Sequence, residues 1–529
     1  MQKKEGQSFL HGAVILAAAT ALIKIIGALF KIPLGNMLDS SGYAYFTMAY
    51  NAFTVLLIIS TSGLPVAVSK MVSEALAKDN WLEIKRIFNV AIFTFAVLGA
   101  VFSVGMFVFA RDIAVLMGDE GCTASIQVLA PAVFFVALSS AFRGYYQGFS
   151  NMYPTAISQV IEAICKLVVG YTLVSFIISL GYSQEYASAG SIVGVTFGSV
   201  LSVAYLTVIK LREKNRLIVN QRGVISLGAV LKKLFSISIP IMLGSSVLSI
   251  TNMIDTMQIV NRLRNSAGFA GSRATEMFGD YGLSQNLFNL PGAFIIALSV
   301  SIVPVLSASR ASGNTSAVKG NIESGLRIGA LLSLPCAIGL SILSEPILNL
   351  LYPLKPDSIP VASQALGVLG IAVFFQCMVL ILNAILQALG KERLPLIAMI
   401  IGSVVKILVN WVLVGIPSIN IKGAPVGTLL CYIIIMAGDL IFLIKSAKIR
   451  VAFSRIFLKP AICAAVMGVA SWAFFGLFSR FIDPRLGVVL TIVAAGICYV
   501  ILALFLKAIT REDMLLLPHG EKIANILKL

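Results

Sequence analysis

The chain has 529 residues, 58% of them hydrophobic and 12% charged, with a mean hydropathy of +0.95. Soluble domains carry about 25% charged residues, so this composition excludes a soluble globular protein and places the chain among membrane proteins. The net charge of +17 would suit a nucleic-acid partner, but Lys and Arg fall in short loops between apolar runs, the positive-inside pattern of a membrane protein, so none is expected.

From the N-terminus, Lys3 and Lys4 precede an apolar stretch, as in a secretory signal. Apolar segments then recur to the C-terminus without a clear small-residue cleavage site, so the start reads as the first span. A bilayer core takes about 20 apolar residues per helix. On that template spans are expected at 9–33, 44–69, 87–110, 123–147, 156–181, 187–209, 234–257, 281–307, 323–343, 361–388, 394–416, 424–445, 457–478 and 486–507. Unpaired backbone groups are not tolerated in lipid, so these runs are helices, and the short alternating segments of a β-barrel are absent. The expected fold is an all-α polytopic membrane protein of about 14 transmembrane helices.

The most basic loop lies between spans six and seven, with Lys210, Arg212, Lys214, Arg216, Arg222, Lys232 and Lys233, whereas loop 111–122 carries Asp112, Asp119 and Glu120. Both termini are therefore expected in the cytoplasm. The linker divides the chain into an N-terminal lobe (1–209), a basic cytoplasmic linker (210–233), a C-terminal lobe (234–447) and a terminal helix pair with a cytoplasmic tail (448–529). The tail from 508 reads as a charged surface segment.

The two lobes resemble each other. Gln147, Lys166 and Val174 match Gln387, Lys406 and Val414 at one constant offset, and Pro154 and Pro395 miss it by one position. Pro65 in GLPVAVSK (63–70) corresponds to Pro304 in SIVPVLSASR (301–310). Each lobe has an even number of spans, so the repeats keep one membrane orientation. They are expected in pseudo-two-fold relation about the membrane normal, the architecture of alternating access.

Charges within spans are costly and mark functional sites by default. Lys24 sits near the middle of span one and Lys31 near its outer end, where snorkelling is the structural explanation. On span five, Glu162 and Lys166 have the spacing of a helical ion pair. Arg143, near the cytoplasmic end of span four, reads as snorkelling. Asp255, a candidate coupling or gating residue with Asn410 and Glu162, lies toward the outer end of span seven, followed by Arg262 and Arg264 as candidate partners or substrate-binding residues. Gln285, Asn286 and Asn289 form a polar patch before Pro291, with Asn286 and Asn289 as candidate substrate-binding residues and interhelical hydrogen bonding as the structural alternative. Lys406 is in mid-span with no acid one turn away and Asn410 on the same face. Asp439 lies deep in span twelve without an evident partner. Lys24, Lys31, Lys166 and Lys406 outnumber Glu162 and Asp255, so the cleft is expected to be basic and to suit a phosphate or pyrophosphate head group.

Catalytic and metal chemistry have little raw material. The only His residues are His11 and His519, and the seven Cys form no CxxC or Cys/His cluster. No GxxxxGK[ST] loop for nucleotide hydrolysis exists. The expected function is transport, not catalysis, with no cofactor. Coupling to membrane potential, sodium or protons stays open.

The stretches YGLSQNLFNLPGAFIIALSVSIVPVLSASRASGN (281–314) and GLRIGALLSLPCAIGLSILSEPILNLLY (325–352) closely resemble the lipid II flippases of the multidrug/oligosaccharidyl-lipid/polysaccharide exporter superfamily. IKIIGALFKIPLGNML (23–38) and TSGLPVAVSKMVSEA (61–75) look most like the branch of stage V sporulation protein B. The resemblance implies flipping of an undecaprenyl-pyrophosphate-linked cell-wall precursor from the inner to the outer leaflet of a bacterial plasma membrane. It implies a lipid-linked oligosaccharide and membrane lipids as partners, a monomer, and association with wall-synthesis machinery. Lys24 and Lys31 match basic positions of the family's first helix. Asn286 and Asn289 stand where the family often has an arginine and an acid, and 56–60 lacks the family's basic residue. Some relatives hold sodium between acidic and amide groups of spans seven and eleven, which Asp255 and Asn410 match. Lys406 stands near a ligand position, and its ammonium is expected to replace the ion and pair with Asp255. Within the superfamily, an exporter of another lipid-linked polysaccharide precursor or a cation-coupled multidrug exporter are the alternatives.

Overall fold

The computed structural model describes residues 2–213, 226–447, 452 and 454–509. Lys214, Arg216 and Arg222 of the basic linker, and the tail beyond 509, lie outside the described residues. The described chain is helical throughout, without strands. Its first nine helices are α1 Gln2–Met37, α2 Ser40–Thr61, α3 Leu64–Leu76, α4 Trp81–Val108, α5 Ala110–Met117, α6 Thr123–Gly148, α7 Tyr153–Ser179, α8 Gln184–Arg212 and α9 Leu227–Asn265. There follow α10 Gly271–Ala311, α11 Thr315–Ile342, α12 Ser344–Leu351, α13 Ile359–Ala388, α14 Arg393–Leu413, α15 Gly423–Ala447, α16 Lys459–Phe481 and α17 Pro484–Phe505.

Among the described residues, 12 helical stretches are long and apolar enough to cross a membrane. They coincide with predicted spans two to seven and nine to fourteen. Predicted spans one and eight fall within α1 and α10, continuous helices of 36 and 41 residues. Local chemistry sets the breaks. Pro65 stands in the first turn of α3, where its missing N–H costs nothing and its ring stops α2 from continuing. Predicted span two is thereby split at Thr61. Asp39 caps α2 by accepting from the Gly42 amide. Asn80 caps α4 by accepting from the Glu83 amide, and its own Nδ2 donates to the Glu83 carboxylate at 2.9 Å.

The chain forms two compact units, Met1–Asn261 with Ala270–Gly279, and Arg262–Phe269 with Asp280–Leu529. This division differs from the boundary at 234 expected from the basic linker. Most of α9 packs with the first unit because glycines let it approach closely. A Cβ on Gly63 would collide with the Ser238 carbonyl, and one on Gly118 would lie 2.6 Å from Val260. Lys233 pairs with Glu74 at 2.5 Å, and Asn51 donates to Thr256 at 2.8 Å.

In the first unit, small residues bring α7 and α8 together. A Cβ on Gly194 would sit 2.6 Å from the Gly170 amide nitrogen and 2.9 Å from the Lys166 carbonyl. One on Gly198 would sit 2.9 Å from the Glu162 carbonyl. Small residues spaced by four give membrane helices this backbone contact. The second unit repeats the device in α14 and α15. A Cβ on Gly402 would lie 2.9 Å from the Cys431 carbonyl, and one on Gly427 would collide with the Asn410 side chain and lie 3.4 Å from the Lys406 carbonyl. The terminal pair α16 and α17 joins this unit, with Met467, Tyr499 and Ala503 clustering with Leu331 of α11. The Tyr499 hydroxyl donates to the Leu331 carbonyl at 2.8 Å.

Candidate functional site

The first unit gathers three of the predicted cations on two helices. Lys24 and Lys31 are seven residues apart on α1, hence on one face, and Lys24 is exposed. Lys166 projects from α7. Between them stands an aromatic row on α2, Tyr43, Phe46, Tyr50 and Phe53, spaced by three and four residues. Phe46 and Tyr50 stack with centroids 5.7 Å apart, and Phe30 of α1 meets Phe46 edge-on at 6.0 Å.

The two ammonium groups converge on Tyr50. Lys166 Nζ lies 4.4 Å from its ring centroid and donates to its hydroxyl at 3.3 Å, with the Phe30 ring at 5.1 Å. Lys31 Nζ lies 5.8 Å from the same Tyr50 centroid. Ring faces attract cations by about 0.5–2 kcal/mol. They position a charge without neutralising it. Among the described residues neither lysine pairs with a carboxylate.

The expected Glu162–Lys166 pair does not form. Glu162 instead accepts from Arg143 Nη2 at 2.7 Å. Arg143 does not snorkel: it is 8% exposed, and it also donates to Ser158 Oγ at 3.0 Å and to Ser202 Oγ at 3.1 Å. A guanidinium presents several donors in a fixed fork and can satisfy a carboxylate and two hydroxyls at once, which an ammonium on a flexible stem does less well. The contact between α7 and α8 places Ser202 within that reach. Arg143 thus engages the acid one turn from Lys166, and Lys166 has no carboxylate partner among the described residues.

Asp255 is 4% exposed on α9, beside the Asn51–Thr256 hydrogen bond. It belongs to the first unit and Lys406 to the second. Arg262, expected as a partner of Asp255 or a substrate ligand, turns elsewhere. Its guanidinium lies 4.2 Å from the Trp411 ring centroid and donates to the Trp411 carbonyl at 3.0 Å. It therefore satisfies an orphan carbonyl at the C-terminus of α14, where a cation is favoured. Arg264 is exposed.

The other candidates lie within the second unit. Lys406 is 6% exposed and Asn410 is fully buried. Asn286 donates to the Tyr352 hydroxyl at 3.4 Å. Asn289 donates to the Gln285 carbonyl at 2.7 Å and accepts from Gln376 at 3.3 Å. Two of these bonds, to Tyr352 and from Gln376, leave α10, and the third lies within it. Sequence reasoning missed Tyr50, Phe30 and the role of Arg143. The spacing of Tyr43, Phe46, Tyr50 and Phe53 on one face of α2 was the signal for Tyr50, and Phe30, one residue before Lys31, carried none. Nothing local marked the third.

Residues 9–310 match the family model described as "Polysaccharide biosynthesis protein", and residues 240–412 match the MatE model. The chain is 25% identical to stage V sporulation protein B of Bacillus subtilis over 97% of its own length and 98% of that protein's. It is 26% identical to the lipid II flippase MurJ of the same organism over 92% of each chain. Among solved structures, the lipid II flippase MurJ in an inward closed conformation superposes with a TM-score of 0.71 at 16% identity, covering 93% of this chain and 99% of that one.

Proposed function

Because this chain belongs to the polysaccharide biosynthesis protein family, in the MurJ and stage V sporulation protein B branch of the multidrug/oligosaccharidyl-lipid/polysaccharide exporter superfamily, we propose that it flips a lipid-linked cell-wall precursor. The substrate is a lipid II-like undecaprenyl pyrophosphate carrying sugars, moved from the inner to the outer leaflet of a bacterial plasma membrane. The observation that carries this is the pair of unneutralised ammonium groups, Lys31 and Lys166, on the Tyr50 ring. Two cations near one ring, with Lys24 exposed two turns away, suit a diphosphate with several acceptor oxygens. The anion is captured from the cytoplasmic side while the polyprenyl tail stays in lipid. Alternating access then exposes the head group outside, with breaks such as that at Pro65 absorbing the motion. Both termini are cytoplasmic, and the protein works as a monomer alongside the wall-synthesis machinery. Membrane potential is one source of drive, at about 2.3 kcal/mol per charge per 100 mV.

The test is rescue of cells depleted of their lipid II flippase. The native protein rescues growth, and Lys24→Ala and Lys166→Ala variants that insert normally do not. A native protein that is made and inserted but fails to rescue moves the assignment to another lipid-linked polysaccharide precursor.

The MatE match over 240–412 favours a second reading, a multidrug exporter of the same superfamily. The aromatic row on α2 would suit a ring-bearing cation, but Lys31 and Lys166 would repel it. Drug resistance conferred by the native protein, and increased by Lys166→Ala, would favour this reading.

A further inference from the structure

Asp439 is a buried acid of the second unit. It lies within α15, is fully buried, and neither of its carboxylate oxygens has a hydrogen-bond partner among the described residues. One turn to either side are Ile435, Met436, Phe442 and Leu443, an apolar setting that continues into the cluster of Val379, Ala398 and Ile435. The helix packed across from it offers no relief. A Cβ on Gly438, next to Asp439, would lie 3.0 Å from that of Ala398 on α14.

The charged and titratable groups on the surrounding helices lie elsewhere. On α13 the only titratable residue is Cys377. On α14 they are Arg393 and Lys406. Lys406 is eight residues, about 12 Å along the helix axis, from Ala398, which packs against Gly438. Arg393 is exposed, five residues before Ala398. On α15 itself, Cys431 and Tyr432 are two turns before Asp439, and Lys445 is exposed six residues beyond. Lys422 precedes α15 altogether. From α10, which meets α15 where Phe288 contacts Tyr432, Asp280 and Tyr281 are two turns before Phe288, and Arg310 is exposed near Gly390. None of these forms an ion pair with Asp439.

An ionised carboxylate in this place would have neither a counter-ion nor a donor, the arrangement that buried charges avoid. A hard metal cation gathers several oxygens. Among the described residues no group of three or more His, Cys, Asp or Glu assembles anywhere. A proton needs only the carboxylate. We propose that Asp439 is a proton-binding site of the second unit, occupied in the packed state described here. One O–H bond forms as the carboxylate takes a proton from water, and the same bond breaks when movement of α14 or α15 admits water. This assignment stands on the burial of one side chain and does not depend on the identity of the transported lipid.

The test is infrared difference spectroscopy on the full-length protein in lipid nanodiscs, comparing the native chain with Asp439→Asn. The native protein is expected to show, at neutral pH, a protonated-carboxyl C=O band that shifts in heavy water and is lost completely in Asp439→Asn. Identical spectra for the two would overturn the proposal. So would loss of the band when sodium replaces choline in the medium, because that identifies an alkali-cation site. If Asp439→Asn does not fold, Asp439→Glu serves the same purpose. Its band must shift in frequency relative to the native one, and an unshifted band assigns the signal to another acid.

Discussion

Lys166 in the first unit and Lys406 in the second occupy the same place in two repeated helix pairs, yet they face different surroundings. Each lies on a helix whose neighbour approaches through glycine, Gly194 against the Lys166 carbonyl and Gly427 against that of Lys406. One turn on, the first helix has Gly170 and the second has Asn410. Lys166 is half-buried and rests on Tyr50 and Phe30, with its neighbouring acid held by Arg143. Lys406 is 6% exposed. The repeat thus keeps the backbone contact and divides the chemistry: Lys166 rests against aromatic rings, and Lys406 is buried.

The largest effect should come from Arg143. Removing one partner of a buried ion pair costs about 3–5 kcal/mol, so Arg143→Ala should lower the melting temperature of the purified protein markedly. It should also release Glu162 toward Lys166, one turn away, and abolish rescue. Arg143→Ala with Glu162→Gln should recover part of the activity. No recovery in a double variant that folds would break the link between the clamp and the free lysine.

Lys166→Met should come next. Losing a charge-assisted contact costs about 1.5–3 kcal/mol, a tenfold to hundredfold weakening of head-group binding measured with a lipid-linked diphosphate. Lys406→Met should change that affinity by no more than about twofold, near the RT scale of binding. Equal losses at the two positions would remove the division between the units.

Gly194→Leu and Gly427→Leu test the shared part of the repeat. Overpacking a tight contact costs about 1–3 kcal/mol, so both should lower thermal stability to a similar degree. The smallest effect should be Arg111→Ala, which removes an ion pair whose side chains are 74% and 60% exposed. It should change stability by well under about 1 kcal/mol, in contrast to the buried pair at Arg143.

The sequence by itself determined the membrane class, the order of the spans, the repeat linking Lys166 to Lys406, and the superfamily. These depend on hydropathy and local spacing, which are properties of consecutive residues. It also singled out Asp439, because an acid deep in an apolar run is visible without a fold. Only the tertiary structure decided which charges are spent. Glu162 has a lysine at ideal helical spacing, but the α7–α8 contact and the fork of Arg143 claim it from another helix. Arg262 follows Asp255 in sequence, yet it caps α14 and stacks on Trp411. Helix α9 follows the basic linker, yet most of it packs with the first unit because Gly63 and Gly118 leave room. Helix rotation and neighbour choice fix such pairings, and neither is written in the periodicity of a single apolar span.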